Sequence, residues 1–298
     1  MAHNRRGYET FSDEVERRRR RTKGRAYGDG FFLPARRCPL SAPSTLIVIS
    51  ARNEAEGLRG LLPQLCEVCR IEKAEIVLVS DGSSDETATV ARGFPGIHVI
   101  EKNVNQGKLV SVMEGMRWGL SKPHARYRQV IIFDGDGQHH VQGIRDILEQ
   151  LGRDTEVVFA SRYRKDCPAG LGQPPLDRQL LNCSCRAMVD SVTHWGLTDP
   201  VCGLRGFTIE VARWILSQTY VTDGYGFEIE TVLRLWHRSR ETPLRWVEIP
   251  HPAIYNGRGK ISEIYSHAHL EERLERIKAH QRHMVEVLLS LDITELPD

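Results

Sequence analysis

The feature that most constrains the fold is a regular alternation of short apolar runs and amphipathic segments between residues 45 and 162. Runs rich in Val and Ile, such as TLIVIS and QVIIFD, are typical of parallel strands that are buried on both faces. The predicted strands cover residues 45–50, 74–80, 97–101, 129–134 and 156–162. Because a helical pattern separates successive strands, we predict an α/β fold with a mostly parallel, doubly wound central sheet flanked by helices.

The second half of the chain is less regular. Helical spacing of apolar residues predicts helices over 176–196 and 262–291, the second of them long and amphipathic. The segment 244–250 is predicted to be a strand. LRGFTIEVARWILSQ predicts a short strand followed by a helix, and GFEIETVLRLWHRS predicts a further helix.

Composition indicates an ordinary globular protein, since 40% of the 298 residues are hydrophobic and 27% are charged. No apolar run reaches the roughly 18 residues that a membrane-spanning helix needs, and the first residues lack the apolar core of a secretory signal. We therefore expect a cytoplasmic protein, and no nucleic-acid partner. Residues 1–43 form a basic N-terminal extension in this interpretation, and residues 44–298 form a single domain.

The net charge of +2 conceals a strongly basic stretch, Glu16 to Arg25, with the sequence ERRRRRTKGR. It is predicted to be a solvated helix or an extended arm. Alternatively, it makes peripheral contact with an anionic membrane at its inner face, where each basic residue contributes on the order of 1 kcal/mol.

Seven cysteines are an odd number for a disulfide framework. The pairs Cys66-x-x-Cys69 and Cys183-x-Cys185 have spacings that zinc sites also use. Apolar residues recur at helical spacing around the first pair, which favours small apolar side chains on a helix over a metal site. We therefore expect free thiols.

Two carboxylates follow the fourth predicted strand, in the sequence VIIFDGDGQHH. Asp134 and Asp136 need a nearby cation, because two like charges this close repel each other. Oxygen ligands suit Mg²⁺ or Mn²⁺, and Gln138 is a further candidate ligand. A solvated Asp-Gly turn is the alternative for an isolated match. Here polar residues also end the other predicted strands, which favours a metal site at that edge of the sheet.

The two histidines of the same stretch, His139 and His140, are softer candidate ligands. The alternative is that they cap the next helix or line a cleft. We expect the second arrangement, because the carboxylates already offer the oxygen atoms that a hard cation prefers.

Eight short motifs occur in order between residues 45 and 262. They are ISARNEAEG, SDGSSDET, NVNQGK, DGDGQHH, ASRY, TDPVCGLRGF, GYGFEIE and NGRGKIS. In this order they resemble the family 2 glycosyltransferases of GT-A fold, closest to the dolichyl-phosphate mannosyltransferase (polyprenyl-phosphate glycosyltransferase) branch. The resemblance implies a nucleotide-sugar-binding half over 44–162, an acceptor half over 163–262 and a C-terminal helix over 262–298. The sequence departs from the family pattern at Ser50 and Ser80, which stand in place of proline and aspartate.

The resemblance also implies roles for individual residues. The nucleotide sugar would be bound by Ala51, Asn53, Glu54, Asp81, Lys108, Asp134, Gly135, Arg258 and Lys260. Asp81 would hold the base or ribose within that set. The metal, Mg²⁺ or Mn²⁺, would be held by Asp134, Asp136 and Gln138. The catalytic group would comprise Asp136, Glu228, Asp199 and Arg162, and the acceptor would be contacted by Arg205 and Arg162.

The implied reaction is the inverting, metal-dependent transfer of a sugar from GDP-mannose or a UDP-sugar to a polyprenyl phosphate. An alternative acceptor is a small soluble hydroxyl compound, for which Glu228 would be the general base. Glu228 could instead be a helix-start carboxylate favoured by the helix dipole. A remote alternative is a nucleotidyltransferase or an inactive sugar-nucleotide binder. A nucleotidyltransferase needs a glycine-rich basic loop after the first strand, which SARNEAEG does not offer.

Overall fold

The computed structural model describes residues 44–122, 127–168, 174, 176–222, 226–255 and 270–293. The strands within these ranges are β1 (Thr45–Ala51), β2 (Ala74–Asp81), β3 (Ile97–Lys102), β4 (Gln129–Asp134), β5 (Val157–Ser161), β6 (Arg205–Thr208) and β7 (Trp246–Pro250). The helices are α1 (Ala55–Glu72), α2 (Thr87–Arg92), α3 (Lys108–Leu120), α4 (Gln142–Leu151), α5 (Leu176–Thr193), α6 (Ile209–Ser217), α7 (Phe227–Ser239) and α8 (Leu270–Ser290).

All seven strands form one sheet in the order β3-β2-β1-β4-β6-β5-β7. β3, β2, β1 and β4 are parallel to one another, and β5 is parallel to β7. β6 is antiparallel to both of its neighbours, β4 and β5, so those two strands run in the same direction. The mostly parallel sheet and the five strands of its first half are therefore confirmed.

The reversed strand β6 has a functional consequence. Its first residue, Arg205, pairs with Ile132 near the end of β4 and with Phe159 near the end of β5. The segment that precedes β6 therefore reaches the sheet at the edge where the other strands end. This edge is called the carboxyl edge below, and functional residues of α/β sheets gather there.

Helices cover both faces of the sheet, as a doubly wound fold requires. Along β1, Leu46 and Val48 pack into one core cluster, and Ile47 and Ile49 pack into the other. The first cluster includes apolar residues of α3, α5, α6, α7 and α8, and the second includes those of α1 and α4. The period of two along the strand accounts for this division, because successive side chains point to opposite faces.

The two cysteine pairs occupy helices, as the apolar spacing predicted. Cys66 and Cys69 lie on α1, and Cys183 and Cys185 lie on α5, all four as free thiols. Burial raises the pKa of the Cys69 thiol to about 12, so this residue is an inert apolar side chain. In the described part of the chain, no group of three or more His, Cys, Asp or Glu residues is arranged to hold a metal ion.

Two sequence expectations concern residues that the structure does not describe. The basic N-terminal extension and the late loop with Arg258 and Lys260 lie outside the described residues. None of the described helices combines the length and the apolar character needed to span a bilayer.

Candidate active site

The loops after β1 and β2 are joined by side chain to backbone hydrogen bonds at the carboxyl edge. Asn53 has a left-handed backbone with φ 52°, and its Oδ1 accepts the backbone N–H of Ser84 at 2.8 Å. In return, the Oγ of Ser83 accepts the N–H of Asn53 at 3.1 Å. Asparagine tolerates this backbone region better than most residues. Asn53, expected to bind nucleotide, therefore shapes the loop through its own amide.

The start of α1 is capped by side chains of the neighbouring loop. The N–H of Glu54 donates to Thr87 Oγ1 at 2.8 Å, and the N–H of Ala55 donates to Asp85 Oδ2 at 3.1 Å. The segment DGSSDETATVARGF predicts a helix with Ser83 or Ser84 as its N-cap, but α2 begins only at Thr87. This expectation was wrong because the polar side chains of the loop satisfy N–H groups at the start of α1, which have no partner within that helix.

Asp81, expected to hold the base or ribose, is buried and supports a turn. Its two oxygens accept the backbone N–H groups of Gln106 and Gly107 at 2.9 and 2.8 Å. The ammonium of Lys102 lies 2.8 Å from Oδ1. Gly107 has φ 90°, a conformation that favours glycine, and α3 begins at the next residue. Asp81 thus fixes the position of Lys108 at the start of α3.

Lys108 lies between two carboxylates of the carboxyl edge. Its Nζ is 2.6 Å from Asp134 Oδ1 and 2.5 Å from Glu228 Oε1. Burial opposes the charge on Lys108, but the two carboxylates outweigh it and raise the pKa of the ammonium. Burial likewise opposes the charge on Asp134, and Lys108 and His139 together hold its pKa well below the usual range. Both groups are therefore charged at neutral pH.

The carboxylate of Asp134 is enclosed by protein on its other side. Oδ2 lies 3.3 Å from Nε2 of His139. A Cβ added to Gly203 would lie 2.1 Å from this oxygen, so only glycine fits there. Gly135 makes a similarly close approach, because its added Cβ would lie 2.9 Å from the Cβ of Ala51. The sequence placed Ala51 and Gly135 at the nucleotide, and the structure adds that they let β1 and the turn after β4 pack closely.

Two buried histidines continue the enclosure behind Asp134. The rings of His139 and His251 are 5.2 Å apart between centroids. Burial, followed by the nearby His139, His140 and Arg162, lowers the pKa of His251 to about 2. His251 is therefore neutral at physiological pH. His139 lies in this cluster, between Asp134 and His251.

Asp136 is the more available of the two carboxylates expected to bind metal. Among the described residues, it has one hydrogen-bond partner, the backbone N–H of Gln138, at 2.9 Å from Oδ1. The half-buried Asp136 therefore keeps an oxygen for a cation, whereas Asp134 is neutralised by Lys108. Mg²⁺ and Mn²⁺ take one or two protein carboxylates together with phosphate oxygens and water. The residues present fit such an ion, provided that the substrate supplies further ligands.

Arg162, which directly follows β5, forms a buried ion pair with Asp199. The guanidinium makes a bidentate contact, with Nε 2.7 Å from Asp199 Oδ2 and Nη2 2.9 Å from Oδ1. Nη1 donates to the hydroxyl of Tyr255 at 3.0 Å. Asp199, expected near Glu228 as a second catalytic carboxylate, instead has both oxygens engaged by Arg162. This favours a supporting role for Asp199, in which it fixes the direction of the guanidinium.

Glu248 supports this pair from β7 and was missed by the sequence analysis. It accepts the N–H and hydroxyl of Thr198 at 2.8 and 2.7 Å, and the N–H of Asp199 at 3.1 Å. Burial raises the pKa of this carboxyl group. The sequence marked the strand but offered no sign that one of its side chains would anchor a loop about 50 residues away.

Arg205, expected to contact the acceptor, is buried, and its guanidinium donates hydrogen bonds to backbone carbonyl groups. Its three nitrogens donate to carbonyl oxygens at 2.6 to 2.9 Å, those of Pro200, Cys202 and Glu228. These contacts favour a supporting role: Arg205 links the turn before β6 to the first turn of α7, which carries Glu228.

Tyr163 and Arg178 are two further residues that were not selected from the sequence. The hydroxyl of Tyr163 is buried and has no hydrogen-bond partner in the described part of the chain. Burial raises the pKa of this phenol, while the charges of Arg162 and Arg178 oppose the rise. Burial also raises the pKa of the Tyr255 phenol, and the charges of Arg162 and Arg178 oppose this rise. The Arg162 guanidinium lies 5.6 Å from the centre of the Tyr163 ring, and a buried hydroxyl group without a partner in the described part of the chain can donate to an anion. Tyr163 lies in the ASRY motif, which could have indicated it.

Comparisons with known proteins show the family of the chain. The model of the family described as "Glycosyl transferase family 2" matches residues 46–213, which is more than half of the chain. Undecaprenyl-phosphate mannosyltransferase of Micrococcus luteus is 27% identical over 211 residues, covering 68% of this chain and 83% of that protein. Polyprenol monophosphomannose synthase of Mycolicibacterium smegmatis is 25% identical over 196 residues, covering 64% and 71%.

A solved structure shows the same fold. Glucosyl-3-phosphoglycerate synthase from Mycobacterium tuberculosis, in complex with Mn²⁺, uridine diphosphate and phosphoglyceric acid, matches with a TM-score of 0.59. The match covers 86% of this chain and 80% of that chain at 17% identity. With the strand-end motifs and the extent of the family match, it follows that this chain is a glycosyltransferase and belongs to glycosyl transferase family 2.

Proposed function

We propose that this protein transfers a sugar, with inversion, from a nucleoside-diphosphate sugar to a polyprenyl phosphate. The observation that carries the proposal is the acceptor-side group of Arg162, Arg178, Tyr163 and Tyr255. The buried hydroxyl group of Tyr163 has no hydrogen-bond partner among the described residues, and the Arg162 guanidinium lies 5.6 Å from the centre of its ring. Arg162 is already paired with Asp199, so a phosphate monoester would accept from that hydroxyl group and neutralise Arg178. Relatives whose names include undecaprenyl phosphate and polyprenol support the same choice.

The state of Glu228 also favours an acceptor that is already anionic. Transfer to an alcohol requires a general base within hydrogen-bond reach of the hydroxyl. Glu228 is the candidate for this role, but its Oε1 is 2.5 Å from the ammonium of Lys108. A carboxylate that serves as a counter-ion is a poor base. A phosphate acceptor needs no proton removed before it attacks the anomeric carbon.

On the donor side, Asp136 with Asp134 and Gln138 would hold Mg²⁺ or Mn²⁺. When bound, such an ion stabilises the negative charge that develops on the departing diphosphate. The residues of the chain itself supply the fixed surroundings. Asp81 and Gly107 position Lys108, and Asp199 holds Arg162 in one orientation. Pre-oriented charges of this kind need no reorganisation during the reaction.

A second candidate function is transfer to a small soluble hydroxyl compound. The solved structure of the M. tuberculosis synthase, whose title names phosphoglyceric acid, has the same fold as this chain. In this case Glu228 would have to exchange its contact with Lys108 for one with the acceptor hydroxyl.

The direct test is a turnover assay with a panel of GDP- and UDP-sugars, Mn²⁺ or Mg²⁺, and a short polyprenyl phosphate in detergent. Release of nucleoside diphosphate and formation of a lipid-linked sugar are the expected results. Turnover only with soluble hydroxyl acceptors would favour the second candidate. No turnover with any donor would refute both. Asp136→Asn should lower kcat by about 10²- to 10³-fold, as expected when a transition-state contact is lost.

The acceptor group is tested by a pair of variants on α5. Arg178→Gln should raise KM for the lipid phosphate and leave KM for the nucleotide sugar unchanged. Arg186→Gln is the matched control, since Arg186 is exposed on the same helix. Equal effects of the two substitutions, or a change confined to the KM of the donor, would contradict the placement of the acceptor phosphate.

A further inference from the structure

The protein itself supplies a positive charge next to Asp134, although this ammonium is shared with a second carboxylate. Lys108 Nζ lies 2.6 Å from Asp134 and 2.5 Å from Glu228, and all three side chains are largely buried. The second oxygen of Asp134 contacts His139. An ammonium therefore sits in direct contact with a carboxylate that the sequence assigns to a divalent cation.

A divalent cation and Lys108 cannot share Asp134 without a cost. A cation bound by Asp134 would lie close to the ammonium, in a site where burial strengthens the repulsion between like charges. A nucleoside diphosphate changes this balance, because its oxygens can accept both the metal and the ammonium. The metal ion and the Lys108 ammonium are then both attracted to the diphosphate, and this attraction offsets the repulsion between them.

We propose that Lys108 is the internal counter-ion of the metal site, which keeps Asp134 from a divalent cation until a nucleoside diphosphate is bound. Metal and nucleotide then bind with positive coupling, and each raises the affinity for the other by the same factor. The inference rests on the proposed function only in taking a nucleoside diphosphate as the donor's leaving group. It makes Lys108 a positioning residue for the metal as well as a contact of the nucleotide.

The test measures Mn²⁺ binding rather than turnover. Free Mn²⁺ is followed by electron paramagnetic resonance, with the wild-type protein, with and without UDP or GDP. The wild-type affinity for Mn²⁺ should rise between about 5-fold and 150-fold when the correct nucleotide is present. Without nucleotide, Lys108→Gln should bind Mn²⁺ more tightly than the wild type by a similar factor, and its coupling to nucleotide should fall.

Two further variants keep the test decisive. Lys122→Gln is the matched control, because Lys122 pairs with Glu75 near the start of β2, at the other end of the strands. It should bind Mn²⁺ as the wild type does. If Lys108→Gln folds poorly, as two unpaired carboxylates would cause, Lys108→Gln with Glu228→Gln is compared with Glu228→Gln alone. The double variant should again bind Mn²⁺ the more tightly.

Mn²⁺ binding by Lys108→Gln that is equal to or weaker than that of the wild type would overturn the inference, as would wild-type binding that ignores the nucleotide. Failure of the proposed function would look different. In that case the turnover assay would show no transfer to any acceptor, while the metal affinities could still follow the expected order.

Discussion

Replacement of Gly203 by alanine tests whether the packing around Asp134 holds the site in place. The added Cβ would lie 2.1 Å from Asp134 Oδ2 and 2.7 Å from both Cγ and Oδ1. The φ of Gly203 is not in the left-handed region, so alanine would suffer no backbone strain of its own. The clash with the carboxylate is therefore the only new term.

The size of the effect follows from that geometry. A tolerable contact requires Asp134 or the turn before β6 to move by roughly 1 Å, because a close-packed interior has no space to absorb the methyl group. Such a movement separates Asp134 from Lys108, whose ion pair is 2.6 Å long. We expect a loss of about 1–3 kcal/mol in the free energy of unfolding. Displacement of a reacting group by this amount lowers turnover by about 10²-fold.

Urea unfolding and the diphosphate-release assay measure the two effects of Gly203→Ala. Gly60→Ala is the control, since no atom lies within 4 Å of its added Cβ and the site is exposed on α1. It should be neutral or stabilising by up to about 1 kcal/mol. If Gly203→Ala unfolds within about 0.5 kcal/mol of the wild type and keeps full turnover, the site does not depend on this contact.

Three further predictions concern the buried charges. Asp199→Asn should lower the free energy of unfolding by about 3–5 kcal/mol, because it removes the carboxylate that pairs with the Arg162 guanidinium. Asp166→Asn, in the exposed pair with Arg164, is the control and should leave the free energy of unfolding nearly unchanged. Arg205→Lys should destabilise by at least about 2 kcal/mol in the same urea assay, since lysine cannot reach three carbonyl groups. His251 has a folded pKa of about 2, below the unfolded value, so stability should fall as pH drops below about 6.5, by up to about 1.4 kcal/mol per pH unit. His251→Phe should flatten that slope between pH 6 and 4.5, and an unchanged slope would contradict the assignment.

Much of the fold could be predicted because local pattern determines it. The Val- and Ile-rich runs of β1 and β4 and the helical spacing of α1 do not depend on distant residues. The direction of β6 was not predictable in this way, because the sequence of a four-residue strand does not indicate which strands it pairs with. The predicted cap of α2 was wrong for a similar reason, since the competing N–H groups lie 30 residues earlier, in and just before α1.

The candidate site likewise has features that local motifs predicted and features that depend on tertiary contacts. Motifs in order along the chain located the carboxyl edge, and the structure brings Lys108, Asp134 and Glu228 into contact there. The contacts of Arg205 and Asp199 favour supporting roles, which the motifs did not indicate, because a charged residue in a motif is equally suited to bind a substrate or to satisfy buried backbone groups. Only burial and the identity of the partner distinguish these cases.

By itself, the sequence determined the class of the fold, the family and the edge of the sheet where the candidate site lies. It did so because hydrophobic period and motif order are properties of short segments. Tertiary structure alone decided which charge meets which. Lys108 and Glu228 are 120 positions apart, and the contact between them requires α3, β4 and α7 to pack together. Electrostatic pairing depends on the distance between the charges in space and on the exclusion of water, and neither can be read from the order of the residues.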